Sequence, residues 1–155
     1  MKLHSAIAAA LLALACLPAC AAPAPAFDLP GARLADLRGK VVYVDFWASW
    51  CGPCKRSFPW MNRLQQRFGA DGLQVVAINL DEKREDAAAF LARVPAQFTI
   101  AYDPAGSAAK AYAIKGMPSS ALVGRDGQLL WLHTGFNDAD TVKLEERIRA
   151  ALQQK

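Results

Sequence analysis

Phe46-Trp47-Ala48-Ser49-Trp50-Cys51-Gly52-Pro53-Cys54-Lys55 decides the reading of this chain. A close pair of cysteines follows a run suited to a strand and precedes a run suited to a helix. Upstream, Val41-Val42-Tyr43-Val44 is β-branched or aromatic at every position, the composition of a strand. Pro53 suits the first turn of a helix, where its missing N–H removes no needed bond. Cys51 is thus expected at a helix N-terminus. There, unpaired N–H groups and the helix dipole favour thiolate over thiol. A thiolate with a second thiol in reach is equipped for disulfide exchange.

Outward from this stretch, strands and helices alternate. Val41–Trp47 is apolar on both faces apart from Asp45, as a buried central strand is. Ser57–Phe68 carries Phe58, Met61, Leu64 and Phe68 at helical spacing, with Pro59 predicting a kink. After a break over Gly69–Gly72, Leu73–Leu80 reads as a second buried strand. Lys83–Val94 reads as a helix with Phe90, Leu91 and Val94 on one face. Its approach, Asp81 to Asp86, mixes charges and reads as a solvated helix start. Phe98–Tyr102 is strand-like, and Ala105–Tyr112 suits a helix. Ser119–Val123 and Gln128–His133 form a hairpin, for which Asp126-Gly127 supplies the expected two-residue turn. Asp138 opens a last helix with Leu144, Ile148 and Leu152 facing inward. Strand–helix–strand units followed by an antiparallel hairpin predict an α/β fold, a central mixed β-sheet flanked by helices on both faces.

The chain has 155 residues, enough for one domain with a real core. Its first part has the layout of a signal peptide, expected over residues 1–19. A short basic start precedes an uncharged apolar run, Ala6–Leu17, too short for a comfortable membrane span. An Ala/Pro-rich tether is expected over residues 20–26 and the folded domain over 27–155. Leu17-Pro18-Ala19-Cys20 resembles a lipobox, with Cys20 as the lipidated residue. Ala22-Pro23-Ala24 offers ordinary cleavage instead, and the sequence leaves both open. The net charge of +4 is mild, and no basic cluster with interleaved aromatics points to nucleic acid. Cys16 leaves with the leader and Cys20 is either lipidated or removed, so Cys51 and Cys54 alone remain in the folded body. With His133 they fall short of the four ligands of a structural zinc site. No metal or cofactor is expected beyond the redox-active pair itself. An exported chain with one such pair reads as a redox site rather than a disulfide scaffold.

VDFWASWCGPCK, with Gly116-Met117-Pro118 downstream and then a hairpin, resembles the thioredoxin superfamily, most closely its exported TlpA/ResA-like branch. The leader, Gly39-Lys40-Val41-Val42, Pro59, and the long segment 81–112 (a helix–strand insertion in this branch) carry the likeness. It spans about residues 27–152. The resemblance implies that Cys51 is the nucleophile and that Cys54, more buried, resolves the mixed disulfide. It implies that Asp45 takes the proton from Cys54, in accord with the raised pKa that burial gives a carboxylate. It further implies a cis bond before Pro118, placing a strand edge where Met117 pairs with an extended substrate. Trp50, Gly52 and Pro53 would complete the substrate surface. Electrons would come from a membrane thiol carrier, and the substrates would be periplasmic protein disulfides. A monomer in the periplasm, with a lipid anchor if Cys20 is modified, is expected.

Ser57 departs from the glutamate that reductases dedicated to cytochrome c maturation tend to carry there. This weighs against apocytochrome c as the substrate. Trp47 flanks the site and reads equally as core packing or substrate surface, Trp60 and Trp131 read as packing, and His133 reads as a hydrogen-bonded sheet residue. Lys55 and Arg56 read as solvent-facing. Two other functions compete with disulfide reduction. One is a thiol peroxidase, with Cys51 oxidised to a sulfenic acid. The other is a copper-binding assembly factor using both thiolates.

Overall fold

The computed structural model describes residues 22–154. The expected leader over 1–19 and the lipidation candidate Cys20 lie outside the described residues. In chain order the elements are β1 (Asp28–Leu29), β2 (Ala32–Arg33), a 3-10 turn (Leu34–Leu37), β3 (Val41–Trp47), α1 (Gly52–Phe68) and β4 (Leu73–Asn79). There follow α2 (Arg84–Arg93), β5 (Thr99–Tyr102), α3 (Ser107–Ala111), β6 (Ser119–Val123), β7 (Leu129–Thr134) and α4 (Asp140–Gln153).

The five main strands stand in the order β5-β4-β3-β6-β7. β3 pairs in parallel with β4, and β4 with β5, while β6 runs antiparallel to both β3 and β7. This is the expected mixed sheet. As its middle strand, β3 is buried at all seven positions. Successive side chains of a strand point to opposite faces. Accordingly, Val41, Tyr43 and Trp47 join a core with Phe58, Met61 and Leu64 of α1 and Leu144 and Ile148 of α4. Val42, Val44 and Phe46 join a second core with Phe27, Leu34 and the α3 residues Ala108 and Ala109. Leu152 is only partly buried, and Ala151 completes the inner face of α4.

The apolar period of α1 begins at Phe58, but the helix begins six residues earlier at Gly52. Its first turn carries Gly, Pro, Cys and Lys, which show no period, and is held by its cap. Pro59 sits within the continuous helix. The β6–β7 connection is longer than a two-residue turn. Gly127 N–H donates to Gly124 C=O at 2.9 Å, so Arg125-Asp126 are the central residues. Only Gly127 has positive φ, +79°, while Asp126 does not. A turn followed by a left-handed glycine is the three-residue alternative to the two-residue hairpin.

The small β1–β2 hairpin, not apparent in the sequence, packs on the sheet edge. Gly31 turns it with φ +103°, and an added Cβ there would lie 2.2 Å from the Ile100 carbonyl oxygen. The described part of the Ala/Pro-rich segment lies against the β6–β7 turn. Ala24 N–H donates to Gly127 C=O and Leu129 N–H to Ala22 C=O, at 2.9 and 2.8 Å.

Candidate active site

β3 ends at Trp47 and α1 starts at Gly52, so Ala48–Cys51 form the tight crossing between them. Cys51 is the N-cap of α1 and Pro53 lies in its first turn. The Cys51 sulfur accepts the Cys54 N–H at 3.3 Å, so one orphan donor of the helix end points at the sulfur. Cys51 and Cys54 form a disulfide, with Cα atoms 5.3 Å apart. Cys51 keeps 5% of its surface exposed and Cys54 none. Attack from outside can therefore reach Cys51 only. On reduction, the same N–H and helix dipole would stabilise a Cys51 thiolate.

Ser57, also buried, donates to the Cys54 carbonyl at 3.0 Å. Trp50 is 73% exposed, the most exposed large apolar side chain among the described residues. Trp47 is instead fully buried, its ring 4.9 Å from both Phe58 and Phe90. Trp60 packs edge-on against Tyr43. Lys55 and Arg56 face solvent.

A groove of about 190 Å³ opens beside the pair, lined by Trp50, Cys51 and Lys55 and by Phe90, Arg93 and Val94 of the α2 segment. The inserted segment thus forms one wall of the nucleophile's surroundings. Phe90 and Val94 were legible in the sequence only as part of a helix face, and Arg93 not at all, because nothing local places α2 beside Cys51.

Asp45 is 2% exposed. Strand alternation puts it on the face of Tyr43 and Trp47, the face whose core contains Cys51 and Cys54. Burial pushes its carboxyl well above the ordinary value, and its Oδ2 has no hydrogen-bond partner. A carboxylic acid of this kind holds its proton to higher pH than a solvated aspartate does.

The Met117–Pro118 peptide bond is cis. Pro118 directly precedes β6, whose Ser119 pairs with Phe46 near the end of β3. Register therefore brings Met117-Pro118 to the sheet end from which the Cys51 crossing leaves. Pro118 is buried, and Met117 packs against the core that holds the cysteines.

Asp81 does not belong to a solvated run. It is 6% exposed, and its carboxylate accepts Ser49 N–H at 2.9 Å, Ser49 Oγ–H at 2.9 Å and an Asn79 amide N–H at 2.7 Å. It ties the end of β4 to the crossing that carries Cys51. Replacing Asp81 by alanine is expected to lower stability by about 2–3 kcal/mol, because several donors lose a charged acceptor at once. A urea titration of the oxidised protein reads this directly. A loss under about 0.5 kcal/mol, the size usual for a surface substitution, would return Asp81 to the solvated reading.

His133 is the expected sheet residue, in β7 opposite Ser120 of β6, but its side chain is not hydrogen-bonded through Nε2. Its ring stacks on Trp131, and Nε2 has no hydrogen-bond partner, with Asp140 Oδ2 3.6 Å away. Among the described residues, no three His, Cys, Asp or Glu side chains converge as a metal site. No described helix is long and apolar enough to cross a membrane.

A buried carboxylate behind a Cys-x-x-Cys disulfide at a helix N-terminus, on this mixed sheet with a cis-proline segment alongside, defines a thioredoxin-fold dithiol protein. A Redoxin family model matches residues 17–150. Thiol-disulfide oxidoreductase ResA of Geobacillus thermodenitrificans is 32% identical over 118 residues, 75% of this chain and 68% of that protein. Its namesake from Bacillus thuringiensis subsp. konkukian is 33% identical over 105 residues, 66% of this chain. That alignment covers 61% of the relative, so the chain spans about three fifths of its length. A Chlorobium tepidum crystal structure, under the name thiol:disulfide interchange protein DsbE, superposes with a TM-score of 0.84 at 54% identity. The superposition covers 85% of this chain and 96% of that one. The chain belongs to the Redoxin family, in the TlpA/ResA-like branch of the thioredoxin superfamily.

Proposed function

We propose that the protein is exported and acts mainly as a protein-disulfide reductase in the periplasm. The observation that carries this is the asymmetry of the pair. Cys51 caps α1 beside an open groove, while Cys54 is sealed one turn on.

In the forward reaction a Cys51 thiolate attacks a substrate disulfide. One substrate sulfur leaves as thiolate, and a Cys51–substrate bond forms. Cys54 then passes its proton to Asp45 and attacks the Cys51 sulfur. This expels the second substrate sulfur and closes the Cys51–Cys54 disulfide. A membrane thiol donor would return the two electrons. Met117, Gly52, Pro53 and Trp50 would bind an extended substrate segment, with backbone pairing at Met117. Residues 1–19 would direct export, and Cys20 would carry the lipid anchor if the lipobox is used.

The direction of electron flow is tested by giving the reduced protein insulin and, separately, giving the oxidised protein a reduced, unfolded ribonuclease. Rapid insulin reduction with poor ribonuclease oxidation is expected. The opposite pattern would make the protein an oxidase.

Trp50 supplies a second test. Removing an exposed aromatic anchor typically weakens protein contact by about 1–2 kcal/mol. Trp50→Ala should therefore raise KM for protein disulfides roughly tenfold while leaving the rate with a small aromatic disulfide near its original value. An equal loss with both substrates would place Trp50 in thiol activation instead.

A further inference from the structure

The groove beside Cys51 carries a charge that disulfide exchange does not itself require. Lys55 of α1 and Arg93 of α2 come to the same opening as Cys51, and both are exposed. No carboxylate lines the groove. Its other walls are Ser49, Trp50, Gly52, Phe90 and Val94. A cleft lined by charge of one sign raises the local concentration of the opposite sign.

Several cations elsewhere are engaged within the fold. Arg33 pairs with Asp28, Arg67 and Arg149 share Glu145, and Arg84 and Arg147 lie over the rings of Tyr102 and Trp131. Among the described residues, Lys55 and Arg93 enter no ion pair, side-chain hydrogen bond or ring contact. The carboxylate bonded to the groove wall, Asp81, is 6% exposed and already accepts from Ser49 and Asn79. Glu85 and Asp86 stand in the first turn of α2, and Arg93 in its last. At a rise of about 1.5 Å per residue, Asp86 lies roughly 10 Å along the axis from Arg93. That exceeds the screening length of about 8 Å at physiological salt. A cation in the last turn of α2 also suits the dipole of that helix. Lys55 has no such reason for its place, because it lies near the N-terminus of α1, the helix end that disfavours a cation.

We propose that Lys55 and Arg93 select protein disulfides whose target cysteine has an aspartate or glutamate within about three residues, the acidic side chain entering the groove while Trp50 covers the neighbouring segment. The proposal rests on the reading of the chain as a protein-disulfide reductase. An extended chain advances about 3.3 Å per residue, so three residues span roughly 10 Å, enough to reach a groove that opens at Cys51 itself. The occupant is a protein segment rather than a free anion because the cations share the opening with Phe90, Val94 and the 73% exposed Trp50. Such a surface offers an apolar contact to the chain beside the acid.

The two cations leave the exchange chemistry as described and act on encounter and binding, where complementary surface charges have their main effect. A single exposed ion pair changes affinity by only a few-fold. Here two cations act together, and repulsion replaces attraction when the segment is basic. At low salt, kcat/KM for an acidic segment should therefore exceed that for a basic one by about tenfold. At about half-molar salt the ratio should fall towards one, because exposed charges are then screened.

The test gives the reduced full chain three disulfide-linked peptide dimers that differ only in the residues flanking the cysteine: glutamate, glutamine or lysine. Released peptide thiols are counted, and each rate is divided by the rate with dithiothreitol, which removes the peptide's own reactivity. The glutamate peptide should be fastest and the lysine peptide slowest. Lys55→Gln and Arg93→Gln should each lower the glutamate-to-lysine ratio about threefold, and the double variant Lys55→Glu with Arg93→Glu should reverse the order. The ratio between peptides is the readout, so an effect of a variant on the Cys51 thiol cancels. Oxidised glutathione has carboxylates but no segment to lie against Trp50, and should be slower than the glutamate peptide. Equal rates for those two would overturn the assignment to a protein segment. Equal rates for all three peptides, or an order that survives the double charge reversal, would overturn the selection and leave the reductase reading intact. Reduction of none of them would remove that reading, and the selection with it.

Discussion

Cys54→Ser is expected to stop turnover and to leave the protein covalently joined to its substrates through Cys51, whereas Cys51→Ser should neither turn over nor trap. The difference follows from geometry. Cys51 retains the exposure of the pair and receives the N–H of Cys54, while Cys54 has no exposed surface. An incoming disulfide therefore meets Cys51, and without Cys54 the mixed disulfide has no internal thiol to resolve it. Loss of the reacting nucleophile should lower disulfide reduction by on the order of 10³-fold or more, to the background of the added reductant. Non-reducing gels of membrane-free extracts, with mass spectrometry of the adducts, check the trap. Equal trapping by Cys51→Ser would assign the nucleophile to the wrong cysteine. Adducts on neither variant would remove disulfide exchange from the account.

Asp45→Asn should produce opposite effects on rate and stability. As general acid–base groups contribute about 10²–10⁴-fold, resolution near pH 7 should slow by at least about 100-fold. Stability should rise. The folded-state pKa of Asp45 is raised well above its ordinary 3.8 by burial. Between those values the folded state binds more protons than the unfolded chain, so the group's contribution falls as pH rises through that window. Below about pH 4 aspartic acid and asparagine are near equivalents. Above it, the variant gains about 1.4 kcal/mol for each tenfold displacement of the ionisation equilibrium. Urea titrations of the oxidised proteins at pH 4 and pH 8 should show a difference near zero at the first and a clear gain for Asp45→Asn at the second. Parallel stability at both would mean that Asp45 is solvated.

The site was legible where chemistry and local structure coincide. Cys51 at a helix start, Pro53 in its first turn and Asp45 alone in an apolar strand are all statements about neighbours in sequence. So are the strands β3 and β4, whose apolar runs outlast any turn signal. Legibility ends where a side chain's neighbours come from strands far apart in the chain. Asp45, Ser120 and His133 are aligned by register between β3, β6 and β7, which no local pattern encodes. Asp81 sits among charged residues that do face solvent, and only the return of β4 beside the β3 crossing gives it partners. The β1–β2 hairpin has two residues per strand, too few to show alternation. The β6–β7 turn was placed one residue late, because the glycine follows the turn as its left-handed residue rather than forming its centre.

The most direct measurement is the reduction potential of the Cys51–Cys54 disulfide, obtained by equilibrating the protein with thiol buffers of graded composition and counting reduced thiols. The Gly52-Pro53 pair matches the segment in thioredoxin, whose potential is about −270 mV. A value in that neighbourhood is the result expected of a reductase. A value near the −120 mV, or about that, of the strong oxidant DsbA would contradict it, reversing the direction of electron flow at this site.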